Sequence, residues 1–398
     1  MISKKDIQRF KKIISSVDKP VLSVYCNVNP ADPDNFGRAW HGRLKNTLKS
    51  MDELKVNLKK GKTFYDELIV FIDQLIVGAR TLALFAWVND KNELEVEHFE
   101  LQVELPVVDL VRGRVETHFG KPYVLPILYA FDEFYRVGVV HVYGSKWRFY
   151  EVFLNEIEEI TETFAEITPD EWKEFNEYAQ IIESGVLEER TFNDKLKFKD
   201  RQKARIQTFS HKLYVRLAQM VEKSVLDLGL DRLILMGNDW EVKLFENHLN
   251  RHIRELIIGY VSNPLDTENP SSKDVLERIA PVLREAEERE EMQLIADAQS
   301  PKGVCGLQNV LEAIQMARLQ VLILPWDLHA KVYKCKDEMI FANLAEAQEH
   351  DPSYEEVELK KEVFLLAAQY ATRIEFVDGA MKEKLYNELQ GIAGIVRW

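Results

Sequence analysis

The chain is poor in cysteine and has no long apolar run. Cys26, Cys305 and Cys335 lie far apart in a sequence of 398 residues and form neither a CxxC pair nor a disulfide ladder. This usage is typical of a reducing compartment. The first residues, MISKKDIQRFKKII, are too charged for a secretory signal, and no apolar run reaches about 18 residues. We therefore expect a soluble, cytoplasmic protein with no membrane partner.

Adjacent glycines are also absent. All seventeen glycines stand alone, so the sequence has no Gly-Gly turn that would let the backbone bend sharply against a substrate. The spacing of Gly303 and Gly306 is typical of a turn that enters a helix. It does not indicate a phosphate site, because a single GxxG is too common. No glycine-rich phosphate loop is expected.

Net positive charge is missing as well, except in one segment. The formal net charge of −14 argues against general binding to nucleic acid, because phosphate repels an acidic protein wherever cations are not concentrated. Residues 195–216 reverse this sign with eight Lys or Arg against one acid, Asp200. Any contact with a polyanion is therefore expected to be local and to involve this segment.

The basic segment continues into a predicted amphipathic helix that extends to about residue 228. At about 100° per residue, apolar residues fall on one side of it: Phe209, Leu213, Leu217, Met220, Val221 and Leu228. Cationic residues form a stripe beside them: Arg201, Arg205, Lys212, Arg216 and Lys223. One side is predicted to pack into a core and the other to bind an anion. The alternative for such a charge run is an ordinary solvated helix face.

An acidic segment precedes the basic helix. Residues 151–190 contain thirteen Asp or Glu and only two basic residues, Lys173 and Arg190. Part of this segment is predicted to be helical. Because opposite charges attract, we hypothesise that it folds over the basic helix in the free protein and masks it.

The order of strand and helix patterns predicts three α/β domains, at about 1–120, 121–265 and 266–398. β-branched and aromatic runs predict buried strands, among them PVLSVYCNV, TLALFAWV, VGVVHVYG, RLILMGN and VLIL, and a further strand is predicted at 123–130. Helices are predicted at 1–19, from about 38 to 59 and near 355–370, and a turn is predicted at 144–145. Proline and glycine near residue 120 and in 262–272 are typical of linkers. The apolar ending GIAGIVRW indicates that the last residues are held in a sheet.

Three parts of the sequence carry a resemblance to a known family. They are GVCGLQNVLEAIQMARLQVLIL with the ending GIAGIVRW, RQKARIQTFSHKLYVRLAQMVEKSV followed by RLILMGNDWEVKLF, and KPVLSVYCNVNP followed by a basic helix. In this chain they resemble the last, central and first domains of the archaeo-eukaryotic class I peptide-chain release factor and Pelota family. The likeness is closer to the bacterial, Balon-like relatives of that family and covers nearly the whole chain.

This resemblance implies a fold and a function. The central domain is expected to be ribonuclease-H-like, and the C-terminal domain to have a kink-turn-binding, ribosomal-protein-like α/β fold. The expected function is binding of the ribosomal tRNA site through rRNA or tRNA phosphates, in ribosome hibernation or stalled-ribosome rescue. A translational GTPase is an implied partner of the C-terminal domain. The expected RNA-binding residues are Lys195, Lys197, Lys199, Arg201, Lys203, Arg205, Lys212 and Arg216.

The chain departs from the hydrolytic members of the family in front of the basic helix. Those members carry a Gly-Gly-Gln loop there, whose glycines permit close approach to the peptidyl-tRNA ester and whose glutamine amide stabilises the oxyanion. The corresponding segment, SGVLEERTFNDKLKFKD, holds only Gly185 and no glutamine. The Asn-Ile-Lys-Ser element for stop-codon reading is also absent. Neither stop-codon-dependent termination nor hydrolysis by the usual loop is expected, and no catalytic residue or cofactor is assigned.

Two functions of other classes stay open. One is an esterase that frees the nascent peptide from peptidyl-tRNA with an atypical loop at about 183–194. The other is an RNA-binding or scaffolding module that acts off the ribosome. A nuclease is disfavoured, because a ribonuclease-H-like active site needs carboxylates on the first strands of the middle domain, and VGVVHVYG supplies His141 but no acid.

Other residues with reactive side chains are interpreted as structural. His248 and His252 are four apart on a predicted helix but lack a third metal ligand, so no metal site is assigned. The three cysteines are interpreted as small core residues. Aromatic residues that alternate as in a packed sheet are interpreted as core rather than as a surface for stacked bases: Tyr123, Tyr143, Trp147, Phe149 and Tyr150.

Overall fold

A computed structural model describes most of the chain: residues 19–59, 61–103, 105, 115–124, 126–127, 130, 135–142, 147–183, 196–262, 270–325 and 327–398, without the side chains at 178–183, 196–210, 360–361, 364–365 and 368. The fold is mixed α/β, as predicted. It divides into two compact units, one of residues 135–287 and one that combines 2–134 with 288–398. The boundaries of the three predicted domains stay a prediction. Among the described residues, no helix is long and apolar enough to cross a membrane.

In the combined unit, the residues before 135 form an antiparallel sheet. Its strands are β1 (Val21–Asn27), β2 (Thr81–Val88), β3 (Leu94–Leu101) and β4 (Val115–Gly120), in the order β3-β2-β1-β4. Helices α1 (Ala39–Lys49) and α2 (Phe64–Gln74) accompany it, with 3-10 helices at Pro33–Arg38 and Asp52–Lys55. Alternate residues of β1, Leu22 and Val24, join Trp40 and Leu44 of α1 in one core, because successive strand side chains point to opposite faces.

The unit of residues 135–287 contains a five-stranded sheet. Its strands are β5 (Val137–Val142), β6 (Arg148–Phe153), β7 (Glu156–Glu159), β8 (Arg232–Gly237) and β9 (Ile257–Val261). The order is β7-β6-β5-β8-β9, antiparallel from β7 to β5 and parallel from β5 to β9. An antiparallel meander extended by two parallel strands is the ribonuclease-H-like arrangement, so this expectation is confirmed.

Helices cover both faces of this sheet. They are α3 (Pro169–Glu183), α4 (Leu196–Leu228), α5 (Asp239–Glu246), α6 (Arg251–Glu255) and α7 (Ser272–Ala298), whose first part lies in this unit. Val140 and Val142 of β5 pack in the core that contains the buried residues of α4. Val137 and Val139, on the opposite face, pack with Val275 of α7. The sheet is therefore buried on both sides, as parallel sheets usually are.

The C-terminal part of the combined unit contains two sheets. Strands β10 (Gly303–Cys305), β11 (Leu319–Pro325), β15 (Arg373–Val377) and β16 (Ala393–Val396) pair in the order β10-β16-β11-β15. Strands β12 (Lys331–Lys334), β13 (Ile340–Phe341) and β14 (Glu355–Glu358) pair in the order β13-β12-β14. The helices here are α8 (Leu307–Gln315), α9 (Leu344–His350), α10 (Leu359–Gln369) and α11 (Gly379–Leu389).

The predicted pinning of the last residues is confirmed, because β16 lies between β10 and β11. Gly394 is required there, since a Cβ at this position would stand 2.8 Å from the carbonyl oxygen of Val321. Arg397 then donates hydrogen bonds to the carbonyls of Ala317 and Tyr370, at 3.0 Å each, and to that of Ala371. The arginine of the GIAGIVRW ending thus satisfies carbonyls just beyond the ends of two helices, where backbone acceptors lack partners.

Several predicted elements have different bounds. The strand predicted at 123–130 is wrong, because residues 126–127 are helical and Pro126 fits the first turn of a helix. The helix predicted from 38 to 59 ends at Lys49. The helix predicted from 355 begins only at Leu359, after β14. The predicted helix at 1–19, the turn at 144–145 and most of the linker at 262–272 lie outside the described residues.

Candidate nucleic-acid interface

Helix α4 is the scaffold of the predicted basic surface. It runs without a break from Leu196 to Leu228, so the cationic segment and the apolar segment share one helix, as predicted. Leu213, Leu217 and Val221 are buried in the core of the 135–287 unit, which confirms the predicted apolar side in the described part of the helix. Because this side is fixed against the sheet, the phase of the rest of the helix is fixed as well.

The predicted RNA-binding residues differ in how much of them the structure describes. Lys195 lies outside the described residues. Five residues have a helical backbone but side chains outside the described part: Lys197, Lys199, Arg201, Lys203 and Arg205. Lys212 is exposed and Arg216 is partly exposed. The predicted binding role of all eight residues stays a prediction.

The unbroken helix places these positions on two sides. At about 100° per residue, positions 201, 205, 212 and 216 recur within a narrow sector, which we call the cationic side of α4. Positions 199 and 203 fall on roughly the opposite side of the helix axis. A flat or gently curved polyanion could follow the cationic side over about four turns, whereas it could not contact both sides at once.

Arg216 is the described residue of the cationic side that contacts a carboxylate. Its Nη1 donates to Oε1 of Glu171 at 2.8 Å, and its Nη2 donates to the backbone carbonyl of Glu166 at 2.9 Å. The side chain of Arg216 remains 39% exposed, so this is a surface ion pair of small energy. The contact joins the acidic segment to the basic helix, in line with the masking hypothesis, at this one described point.

Glu171 is held in place by the start of its own helix. Thr168 donates to Glu171 Oε2 through its backbone N–H at 2.8 Å and through its hydroxyl at 3.0 Å, and Glu171 N–H donates back to the hydroxyl. This reciprocal pattern is a capping box, followed here by Pro169 in the first turn. The capping box can be predicted from the sequence TPDE, but the arginine that Glu171 contacts cannot.

The hydrogen bonds from Thr168 and, to a smaller extent, the charge of Arg216 lower the pKa of Glu171 below the ordinary carboxyl value of 4.5. A carboxyl group whose folded-state pKa is lowered stabilises the fold above its unfolded-state pKa. That contribution is lost as the pH falls through the lower, folded-state pKa. Glu171 is therefore ionised at neutral pH, and its ion pair with Arg216 is lost only in acid.

A pair of histidines that the sequence did not indicate adjoins the cationic side. His211 Nδ1 of α4 lies 3.0 Å from His248 Nε2, and His248 Nδ1 lies 2.8 Å from the carbonyl oxygen of Leu244. His248 stands after α5, and His252 lies inside α6. The prediction of one helix carrying both His248 and His252 is wrong, because Asn250 caps a new helix by accepting a hydrogen bond from Ile253 N–H.

Carboxylates for nuclease chemistry would be needed on the first strands of this sheet. Strand β5 carries no acid, and its His141 is fully buried. Glu151 of β6 lies 2.5 Å from Arg136 in a nearly buried ion pair. Within the described part of the chain, no group of three or more His, Cys, Asp or Glu is placed to hold a metal ion.

The cysteines and aromatic residues were interpreted as structural, and the described ones fit that interpretation. Cys26 and Cys335 are buried and Cys305 is partly buried. Burial raises the pKa of Cys26 to about 12, so its thiol is protonated at neutral pH. Trp147, Phe149 and Tyr150 are almost fully buried, and Tyr123 is largely so, which confirms them as core; Tyr143 lies outside the described residues.

Comparison with sequence families gives one match. Residues 122–284 match the sequence model of bacterial archaeo-eukaryotic release factor family 10. The matched segment contains β5 to β9 and the whole of α4. No match was found among curated proteins.

Solved structures with similarity to the chain share little sequence with it. The archaeal translation termination factor aRF1 is 14% identical over 100% of this chain and 99% of that chain, with a TM-score of 0.24. Dom34 of S. cerevisiae, described as a translation termination-like factor involved in RNA quality control pathways and interacting with Hbs1, is 12% identical over 80% of each chain, with a TM-score of 0.39. Pelota of Archaeoglobus fulgidus is 12% identical over 82% of each chain, with a TM-score of 0.30.

Proposed function

We propose, from the premise that this chain is related through residues 122–284 to the bacterial archaeo-eukaryotic release factors, that it binds ribosomes through the cationic side of α4 without hydrolysing peptidyl-tRNA. The binding site proposed is the tRNA site, and the ligands of the cations are phosphates of rRNA or tRNA. The proposed role is in ribosome hibernation or stalled-ribosome rescue in the cytoplasm. A translational GTPase is proposed as a partner of the C-terminal domain by resemblance alone.

The observation that carries this proposal is the unbroken helix α4. Its backbone places positions 201, 205, 212 and 216 on one side at intervals of one or two turns, in a protein of net charge −14, and the buried apolar residues in its later part fix the phase of the helix. Lysine and arginine on a rigid helix bind phosphates without reading bases. Such a surface favours a large folded RNA over a particular sequence. The missing Gly-Gly-Gln loop supports a role without ester hydrolysis.

Two assays test the proposal. Sedimentation with purified ribosomes through a sucrose gradient should recover the protein in the ribosomal fractions at low salt. As salt is raised, log affinity should fall linearly with log salt concentration, and each phosphate contact should add about 0.7 to 0.9 to the magnitude of this slope. A puromycin-like assay at one protein per ribosome should show no release of peptide from peptidyl-tRNA. Peptide release would favour the esterase. Absence of the protein from the ribosomal fractions at every salt concentration would favour a module that acts off the ribosome.

The pair of Arg216 and Glu171 gives a prediction about affinity. In Glu171→Gln, the capping box is retained because glutamine also suits this position, but Arg216 loses its charged partner. We expect the affinity for ribosomes to rise about two- to fivefold, since a surface ion pair that competes with phosphate is worth up to about 1 kcal/mol. The slope of log affinity against log salt concentration should become steeper by about 0.7 to 0.9, because one more phosphate contact is made.

Glu177→Gln is the matched control for this prediction. Glu177 is exposed on the same helix and its removal changes the net charge equally. If the two variants gain affinity to the same extent, the effect comes from total charge rather than from release of Arg216, and the masking hypothesis is wrong.

A further inference from the structure

Two histidines meet between α4 and the segment that follows α5. The ring nitrogen Nδ1 of His211, on α4, lies 3.0 Å from Nε2 of His248, which stands after the end of α5. The two ring centroids are 5.0 Å apart. A hydrogen bond between neutral rings accounts for this contact. Imidazole is also the commonest metal ligand in proteins, so two ring nitrogens brought together from different elements are a candidate metal site.

The second contact of His248 fixes which of its nitrogens carries the proton. Nδ1 of His248 lies 2.8 Å from the carbonyl oxygen of Leu244. Because a carbonyl only accepts hydrogen bonds, Nδ1 is the donor, and in the neutral ring the lone pair is on Nε2, the nitrogen that faces His211. Metal-binding histidines have this same arrangement, in which the nitrogen that does not bind the ion donates to a carbonyl or carboxylate and so sets the tautomer.

The plane of the His248 ring is fixed as well. Tyr214 of α4 stacks on it, with ring centroids 5.3 Å apart and ring planes 20° apart. Tyr214 is almost fully buried in the core that also contains Trp147 and Phe245. One ring of the pair is therefore held by the core of the 135–287 unit and the other by the continuous helix α4. Little conformational freedom remains to be lost when a ligand binds to both rings.

The separation of the two nitrogens fits one bound ion. Imidazole nitrogens bind Zn²⁺ at about 2.0 to 2.1 Å, so two of them on one ion stand about 2.8 to 3.4 Å apart when the angle between them is about 90 to 110°. The distance of 3.0 Å between Nδ1 of His211 and Nε2 of His248 falls in this range. His211 is exposed and His248 is half-buried, so the pair is open to solvent. Position 212, which carries the next cation along α4, lies about 100° further around the helix.

We propose that His211 and His248 together bind a divalent transition-metal ion of the class of Zn²⁺, Ni²⁺ and Cu²⁺, for which imidazole is a suitable ligand. Without metal, Nδ1 of His211 donates the hydrogen bond, so its proton passes to solvent as the ion binds and Nε2 of His211 takes one up. Within the described residues no third His, Cys, Asp or Glu completes the pair, and water fills the remaining positions. The ion joins α4 to the segment between α5 and α6. The inference does not depend on the function proposed for α4.

The test is calorimetric titration of the full chain with Zn²⁺, together with hydrogen exchange with and without the ion. Zn²⁺ should raise amide protection in residues 247–251 and in α4 around His211, whereas Mg²⁺, which takes oxygen ligands, should not. His211→Gln keeps a donor for His248 but removes a ligand, and it should weaken Zn²⁺ binding by at least the ten- to hundredfold that loss of an outer-shell partner typically costs. His252→Gln, at an exposed position of α6, is the control and should leave binding unchanged. Binding should also weaken from pH 7.5 to about 5.5, because only neutral imidazole is a ligand.

Three results would overturn this proposal. If the parent chain binds no Zn²⁺, or if His211→Gln binds it equally well, the two rings form a hydrogen bond and nothing more. If His252→Gln loses as much affinity as His211→Gln does, the ion is held by scattered surface histidines. If protection rises elsewhere but not around His211 and in residues 247–251, the ion binds at another place. The exposed position of His211 keeps the test valid even if substitution of His248 disturbs the fold.

Discussion

Replacing Arg205 and Lys212 together by glutamate is expected to lower the affinity of the protein for ribosomes by about ten- to a hundredfold at physiological salt. Both positions lie on the cationic side of α4, seven residues or about two turns apart. Each substitution removes a cation whose binding to phosphate releases a counterion from the RNA, and it places a carboxylate there that phosphate repels. The slope of log affinity against log salt concentration should become shallower by about 1.4 to 1.8, because two phosphate contacts are lost and each contributes about 0.7 to 0.9. Gradient sedimentation at several salt concentrations measures both quantities.

The double variant Lys199→Glu, Lys203→Glu separates the cationic side from the basic run as a whole, because the sequence predicts RNA binding for these two residues as well. It changes the net charge by the same four units, yet positions 199 and 203 fall on the other side of the helix. Equal loss in the two double variants would mean that the whole basic run attracts the ribosome through its total charge. A loss of affinity confined to the double variant at Arg205 and Lys212 would assign the ribosome contact to the cationic side of α4. Arg216 is left unchanged in both variants because reversing it would repel Glu171.

Trp147→Ala should lower the free energy of unfolding of the 135–287 unit by about 3 to 5 kcal/mol. The indole is fully buried, and its ring centroid lies 4.9 Å from that of Phe245, 5.6 Å from that of Tyr214 and 5.8 Å from that of Phe175. These aromatic residues come from α3, α4 and α5, so the indole joins three helices above one face of the sheet. Its loss leaves a cavity that none of them can fill without moving.

Native-state hydrogen exchange followed by mass spectrometry measures this loss in the affected unit. Amide protection in β5 and β8 should fall by about two to three and a half orders of magnitude, about one for each 1.4 kcal/mol. Leu226→Ala on α4 is the control, because that side chain is 67% exposed and its truncation should change stability by less than about 0.5 kcal/mol. Equal effects of the two substitutions would show that Trp147 does not hold the helices together.

Much of the fold could be predicted where periodicity was long and consistent. The apolar side of α4 followed from five turns of helical spacing, and Leu213, Leu217 and Val221 are indeed buried. β-branched runs located β1, β2, β8 and β16 to within two residues at each end. The prediction failed where a polar residue overrode the pattern. Asn250 starts a new helix within a stretch that was predicted to be one helix from Trp240 to about Arg254.

The candidate site was less predictable than its scaffold. Sequence alone showed where positive charge accumulates, but tertiary packing decides which carboxylate an arginine meets, as with Arg216 and Glu171. The pair of His211 and His248 is invisible to local spacing because its members are 37 positions apart.

The parallel pairing of β5 with β8 has a consequence for how the 135–287 unit assembles. Val137 is paired with Arg232, which lies 95 positions later (232 − 137), whereas β5, β6 and β7 are neighbours along the chain. Closing so long a connection costs more entropy than closing a hairpin, so the three-stranded meander should form first. Helix α4 ends just before β8 and packs on both halves of the sheet, because its core includes Val140 and Val142 of β5 as well as Leu233 and Leu235 of β8. Its packing surface is therefore complete only when β8 docks. We therefore expect the cations of α4 to acquire their final direction late in folding, together with the second half of the sheet.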